Sequence, residues 1–117
     1  MNKEISQDEE RLDVVFHALS NRTRRSLLKQ MQDGPMMVTE LAQNYDMSLN
    51  AVSKHLIVLE KAGLIDRSID GRNHSCQLQS GPLADADMWI EQYRTFWEEN
   101  LDQFAAYVEN LNNVEKK

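Results

Sequence analysis

Cysteine is nearly absent from this chain of 117 residues, and no long hydrophobic run occurs in it. The one cysteine, Cys76, cannot form an internal disulfide and offers a metal only one thiolate. No apolar run approaches the roughly 18 residues of a membrane span, and residues 1–6 lack the apolar stretch of a signal peptide. We therefore expect a cytoplasmic protein without a membrane partner, and the chain length is typical of one domain.

Signatures of enzymes are missing as well. The sequence contains no glycine-rich phosphate loop, no Ser–His–Asp constellation at a recognisable spacing and no Cys–His pair in a known motif. His74 and Cys76 stand two residues apart and would share one face of a strand, but zinc usually takes three or four ligands. The sequence predicts no enzyme activity, no metal and no cofactor.

Net charge is −6 at neutral pH, which at first sight argues against nucleic acid. The acids are unevenly spread, however, because residues 82–117 hold eight acidic and three basic side chains. Residues 20–32 hold four bases and no acid, and residues 48–79 hold four bases and three acids. A DNA-facing surface needs only local positive potential, so the global charge does not exclude DNA.

Hydrophobic spacing predicts four helices, then a β-hairpin, then a long final helix. The predicted elements are helices over 8–19, 22–33, 39–46 and 48–63, strands over 64–69 and 74–78, and a helix that begins at Gly81-Pro82. Asn21, Thr39 and Ser48 are suited to cap helix starts, and Gly63 is suited to end the fourth helix. The predicted fold class is mainly α with a β-hairpin wing, as one domain over 8–112 with flexible ends at 1–7 and 113–117.

The third and fourth predicted helices are short and are joined by residues 46–48. This is the pattern of a helix-turn-helix, whose second helix enters the major groove of DNA. The apolar stripe of that second helix consists of Val52, Leu56 and Leu59. The opposite face presents Asn50 and Ser53, which can bond base edges, and Lys54, which can contact phosphate. The fourth helix is therefore the candidate recognition helix.

Four segments of the chain form a recognisable set: LSNRTRR at 19–25, VTELA at 38–42, AVSKHLIVLEKAGLI at 51–65 and GR at 71–72. Together they resemble the ArsR family of bacterial winged-helix repressors. The stretch YRTFW at 93–97, followed by Leu101, looks like one branch of that family without an obvious metal site. Metal-sensing relatives use cysteines in the third helix or histidines in the last, and this chain has no thiol at 40–44 and no histidine in its last helix.

This resemblance implies a homodimeric repressor of double-stranded DNA, with the first and last helices at the dimer interface and a pseudo-palindromic operator. The candidate DNA-binding residues are Ser48, Asn50, Ser53, Lys54, His55, Arg22, Arg25, Arg67, Arg72 and Asn73. The candidate interface residues are Leu12, Phe16, Trp89, Tyr93, Phe96, Trp97, Leu101, Phe104 and Tyr107. Leu49 and Asn50 stand where many relatives have Gln and Pro, so the base preference does not transfer from the family.

Several alternatives stay open at the level of sequence. His55 lies beside the apolar stripe and is as well suited to packing as to a phosphate contact, and Arg24 ranks below Arg22 and Arg25 as a simple surface charge. A winged-helix module that binds a protein, and a metal- or redox-responsive repressor that uses Cys76, are the competing functions. No inducer can be read from the sequence.

Overall fold

The computed structural model describes residues 7–115 as helices, strands and short turns in the predicted order. The elements are α1 (Gln7–Leu19), α2 (Arg22–Gln30), β1 (Met36–Met37), α3 (Val38–Ala42), α4 (Leu49–Lys61), β2 (Ile65–Asp70), β3 (Asn73–Leu78), α5 (Gly81–Glu91) and α6 (Arg94–Glu115). A 3-10 turn, Met31–Asp33, follows α2. The predicted fold class, four helices and a hairpin wing followed by helix, is confirmed.

Two compact units make up the chain, one that ends at Ala86 and one that begins at Asp87. The first unit contains the helix-turn-helix and the hairpin, and the second contains α6 and the end of α5. The single-domain boundary at 8–112 stays a prediction. Of the predicted flexible ends, residues 1–6 and 116–117 lie outside the described residues, whereas Gln7 and residues 113–115 belong to helices.

Local hydrogen bonding explains why α2 and α4 begin and end where they do. The side chain of Asn21 accepts from the backbone N–H groups of Thr23 and Arg24 at 2.8 and 3.1 Å. Ser48 Oγ accepts from the Ala51 N–H at 3.1 Å, which satisfies one of the N–H groups that a helix start leaves without a helical partner. Gly63 follows α4 with φ +74°, the left-handed conformation that glycine adopts without strain. The predicted caps Asn21, Ser48 and Gly63 are confirmed.

The predicted start and end of the third helix were wrong. Its N-cap is Met37 rather than Thr39, and the Glu40 carboxylate accepts from the Met37 N–H at 3.1 Å. The cause is strand β1, which the sequence analysis missed. Because Met36 and Met37 pair with β3, the helix begins directly after that pairing. The helix also ends at Ala42, and turns cover the residues before Ser48.

The predicted single final helix was also wrong, because it is divided into α5 and α6 at Gln92 and Tyr93. The N–H groups of these two residues donate to Trp89 O at 3.3 Å and Ile90 O at 3.0 Å. Such three-residue bonds tighten the last turn of a helix and end it. The Trp97 N–H then donates to Tyr93 O at 3.1 Å, and this bond starts α6.

The hairpin β2–β3 forms the wing, and β1 extends it to a three-stranded antiparallel sheet in the order β1-β3-β2. Asp70 pairs with Asn73, so the turn consists of Gly71 and Arg72, with Gly71 at φ +62°. The core beneath the sheet and helices is apolar. Its buried members include Ala18, Leu27, Leu28, Met31, Leu41, Val52, Leu56, Leu59, Leu64, Ile65 and Cys76. The predicted stripe of α4 is thus fully buried, and each such leucine contributes about 2 kcal/mol by burial.

Candidate nucleic-acid interface

The buried stripe of α4 determines which of its side chains face solvent. With Val52, Leu56 and Leu59 in the core, Asn50 and Lys54 are exposed and Ser53 is half-buried. Two apolar side chains, Leu49 and Ile57, are exposed on the same helix. Amide, hydroxyl and ammonium groups beside an apolar side chain are the chemistry that reads base edges, thymine methyl groups and phosphates in a major groove.

A polar network, which the sequence analysis missed, ties α2 to the turn before α4. The Tyr45 hydroxyl donates to Ser26 Oγ at 2.7 Å and accepts from Gln30 Nε2. Asn44 Nδ2 donates to Gln30 Oε1 at 2.6 Å. The sequence carries no local signal for this network, because the partners of the Tyr45 hydroxyl lie 15 and 19 residues away on another helix. The network holds the turn from which the recognition helix starts.

Arg24, which ranked as a surface charge in the sequence, is the buried arginine of α2. Its side chain is only 8% exposed. Nε donates to Ala18 O at 2.7 Å and Nη2 donates to His17 O at 2.9 Å, so two carbonyls at the end of α1 accept from it. Nη1 lies 3.2 Å from Nδ1 of His55 on α4. The surface-charge interpretation was wrong, because one guanidinium fork joins α1, α2 and α4.

The contact with Arg24 determines the protonation of His55. A guanidinium can only donate hydrogen bonds, so Nδ1 of His55 accepts and its proton is carried on Nε2. Burial, and after it the positive charge of Arg24, lower the pKa of His55 from its ordinary value. Of the two interpretations made from sequence, the packing contact is present. A phosphate contact from Nε2 stays a prediction.

Arg22 and Arg25, the other two arginines at the start of α2, are exposed. Arg25 Nη1 donates to Leu19 O at 2.8 Å, which orients its guanidinium along the end of α1. Both side chains lie within one turn of the buried Arg24. The start of α2 therefore presents two cations to solvent, as a phosphate-contacting surface requires.

In the wing, two of the three candidate residues lie at the tip and one does not. Arg72 and Asn73 are exposed at the hairpin turn. Arg67 lies midway along β2 with a side chain 16% exposed, and its Nε is 3.7 Å from Glu60 Oε1. Its Nε and Nη2 atoms are buried and have no hydrogen-bond acceptor among the described residues. Arg67 is thus enclosed, unlike the exposed wing contact that the family resemblance implies.

Cys76 is fully buried between β1 and β2, opposite Met36 and Arg67. Burial raises the pKa of its thiol; the Arg67 charge opposes this, and Glu60 adds to it. A raised pKa keeps the sulfur as an unreactive thiol, because the thiolate is the nucleophile and the metal ligand. The structure thus weighs against the competing hypothesis of a redox sensor at Cys76.

Within residues 7–115, no group of three or more His, Cys, Asp or Glu side chains could hold a metal ion. In that same part of the chain, no helix is both long and apolar enough to cross a membrane.

The second compact unit exposes an apolar seam along α6. The seam consists of Trp97, Leu101, Phe104, Val108 and Leu111. The spacing between successive members alternates between four and three residues, which is the pattern of helices that pair in a coiled coil. Leu101 is 61% and Phe104 is 64% exposed in the single chain. The remaining interface candidates on α6, Phe96 and Tyr107, are exposed too, and the rings of Trp89 and Tyr93 are in tilted contact with centroids 5.1 Å apart.

Comparison with known proteins finds relatives that share the helix-turn-helix segment. Residues 19–68, which hold α2 to α4 and the start of the wing, match the family described as "Helix-turn-helix domain". The HTH-type transcriptional regulator Rv2034 of Mycobacterium tuberculosis is 32% identical over 98 residues, covering 84% of this chain and 89% of that protein. The transcriptional repressor SdpR of Bacillus subtilis is 30% identical over 79 residues, covering 68% of this chain and 88% of SdpR.

A solved structure shows the same similarity in three dimensions. The crystal structure of the ArsR family transcriptional regulator RHA00566 superposes with a TM-score of 0.73 at 34% identity. The superposition covers 77% of this chain and 93% of that one. Sequence and structure thus point to the same group of proteins.

Proposed function

The chain belongs to the ArsR-type family of winged helix-turn-helix transcriptional regulators, DNA-binding proteins and not enzymes, and from this premise we propose that it is a homodimeric repressor. It binds a pseudo-palindromic operator in the bacterial cytoplasm. Each protomer places α4 in a major groove, and the two half-sites lie about one helical turn of DNA apart or a multiple of it. Bound protein blocks transcription of the adjacent gene.

The single observation that carries the proposal is the face of α4 opposite its buried stripe. Asn50 and Lys54 are exposed there, and Ser53 lies beside them. Arg24 contacts His55 of this helix, and the Tyr45 network ties the turn before the helix to α2. Such anchoring favours DNA reading, because base contacts demand well-placed donors and acceptors.

Phosphate contacts come from the basic groups around the recognition helix. Lys54 on α4, Arg22 and Arg25 on α2, and Arg72 at the wing tip are exposed cations. In the proposal they neutralise phosphates, and the polar Asn73 assists at the wing. Arg67 is left out of this set because its guanidinium is enclosed. The cationic set offsets the net charge of −6 locally where DNA would bind.

Homodimerisation is supported by the exposed seam of α6. Five large apolar side chains in a row are more than a solvated helix usually exposes, and such a patch marks an interaction site. A second copy supplies the same seam, so a two-fold pairing matches apolar surface to apolar surface. Leu12 and Phe16 on α1 complete the proposed interface.

Selection of bound DNA from a random pool, followed by salt-titrated binding to the selected sequence, tests the proposal. The expected outcome is an enriched inverted repeat whose affinity falls linearly with the logarithm of salt concentration, because phosphate contacts release counterions. A pool without enrichment, or an affinity indifferent to salt, would overturn DNA recognition and favour a winged-helix module that binds a protein.

A further inference from the structure

A cavity of about 260 Å³ lies between the wing, the start of α3 and the first turns of α4. Part of its lining is apolar and consists of Met37, Val38 and Leu49. The volume is slightly below the usual lower limit of sites that hold small molecules, about 300 Å³. The cavity therefore suits a compact ligand with an apolar body.

Another part of the lining is cationic. Arg67 and Arg72 line it together with His74 and the hydroxyl of Ser53. Glu60 lies 3.7 Å from Arg67 Nε and offsets one positive charge, so one guanidinium charge remains uncompensated. No other ion pair is recorded for either arginine among the described residues. The local charge favours an anion.

Arg67 contributes the most specific feature. Its Nε and Nη2 donors are buried and lack an acceptor among the described residues. A buried donor without an acceptor costs free energy, so movement of this guanidinium towards an anion in the cavity is favoured. A carboxylate fits a cavity lined by arginines because its two oxygens accept hydrogen bonds from guanidinium N–H groups.

We propose that this cavity binds a small organic carboxylate, with its oxygens on Arg67 and Arg72 and its apolar body against Val38 and Leu49. Inorganic phosphate or a DNA phosphate offers the same oxygen chemistry but leaves the apolar wall unfilled. The carboxylate is therefore the ligand that contacts both the cationic and the apolar lining residues.

The proposal has a regulatory consequence that rests on the proposed function. Ser53 and Arg72 line the cavity and also belong to the proposed DNA contacts. A bound carboxylate occupies the guanidinium of Arg72 and adds negative charge beside the start of α4. Both effects weaken the attraction for DNA phosphates, so the ligand acts as an inducer.

Titration of the full ¹⁵N-labelled chain with benzoate, followed by amide chemical shifts without DNA, tests the site directly. Benzoate is expected to shift the signals of Val38, Leu49 and Arg67 saturably, and benzyl alcohol is expected to bind at least about tenfold more weakly. Equal binding of the alcohol, or the absence of saturable shifts at these residues, would overturn the carboxylate site. Inorganic phosphate that binds as tightly as benzoate would also overturn it, in favour of a phosphate site.

Matched variants test the assignment of residues. Arg67→Met and Arg72→Met each remove one guanidinium, and both are expected to weaken benzoate binding about tenfold or more. Lys29→Met removes an exposed cation from α2 and is expected to change nothing. Arg72 lies exposed at a turn, so its variant remains informative if Arg67→Met fails to fold. Unchanged benzoate affinity in Arg72→Met would contradict the proposal.

Fluorescence anisotropy with the selected operator separates the site from its regulatory consequence. Benzoate is expected to release DNA from the wild-type chain, and to release less from each arginine variant relative to that variant's own affinity. Saturable benzoate shifts with unchanged operator affinity would overturn the inducer role and leave the site standing. Absence of operator binding would overturn the proposed function, while the shift titration still decides on the site.

Discussion

Arg24 on α2 donates from Nη1 to Nδ1 of His55 on α4 across 3.2 Å. The other two nitrogens that bond, Nε and Nη2, donate to the carbonyls of Ala18 and His17 at the end of α1. The recognition helix is thereby connected to α1 through a single side chain. Since α1 is also a proposed dimer helix, this contact connects the recognition helix to one of the helices of the proposed interface.

Replacing Arg24 with Met is expected to lower the free energy of unfolding by about 3 kcal/mol. The variant removes the charged donor from the buried Ala18 O and from the part-buried His17 O, which keeps its bonds from Ser20, and bonds to charged groups contribute about 1.5–3 kcal/mol each. Urea unfolding at a fixed protein concentration measures the loss. Arg25→Met is the matched control, because that exposed side chain makes one hydrogen bond, and a cost below about 1 kcal/mol is expected. Equal costs for the two variants would contradict the structural role of Arg24.

Stability is expected to fall as the pH is lowered below about 6.5, in part through His55. Burial and Arg24 lower the pKa of His55 in the folded state, so the unfolded chain takes up this proton first. Protonation then favours unfolding between the ordinary histidine pKa and the lower folded value. His55→Gln should flatten this part of the curve of unfolding free energy against pH. His17→Gln, an exposed histidine on α1, serves as the control, and an unflattened curve in His55→Gln would refute the assignment.

Lys54→Ala is expected to weaken operator binding and to reduce the salt slope by about 2 for a dimer. Each protomer loses one phosphate contact, and each contact contributes about 0.9 to the slope. Binding isotherms over a series of salt concentrations measure both quantities. Lys29→Ala removes an exposed lysine of α2 outside the proposed contacts and should leave the slope unchanged. An identical slope for wild type and Lys54→Ala would remove Lys54 from the interface.

Leu101→Glu is expected to convert the dimer to monomer. A carboxylate in the middle of an apolar seam loses its hydration on pairing, and the dissociation constant should rise by about 100-fold or more. Sedimentation equilibrium measures the shift. Ala106→Glu places the same charge on the opposite face of α6 and should leave the dimer intact. Wild-type protein that is monomeric at micromolar concentration would contradict the proposed dimer itself.

The Cys76 thiol is expected to react slowly with iodoacetamide in the folded protein and quickly in denaturant. The side chain is 0% exposed and burial raises its pKa, so thiolate is scarce. Mass spectrometry follows the labelling. Ser68→Cys, made together with Cys76→Ala, puts a thiol at an exposed position of the same hairpin and should react promptly. Fast labelling of Cys76 in the folded protein would support the competing hypothesis of a redox-responsive repressor that uses this thiol.

Periodicity predicted the helices that are long or well capped. The spacing of Val52, Leu56 and Leu59 identified the buried side of α4, and Asn21 and Ser48 marked two helix starts. Strand β1 escaped prediction because two methionines carry no pattern of their own, and they form a strand only because Cys76 and Ser75 lie beside them. The break between α5 and α6 escaped because the aromatic spacing continues across it.

The chain's own sequence determined the order of the elements, the buried stripe of α4 and the exposed polar face opposite it. These features depend on residues that are close together in the sequence, so the spacing of apolar and polar residues predicts them. Only the tertiary structure decided which arginine side chains are exposed to solvent. Arg24 and Arg25 are adjacent in sequence, yet one is buried against α1 and α4 while the other is exposed. The enclosure of Arg67 and the burial of Cys76 likewise depend on strand pairing across the sheet, which residue type alone does not specify.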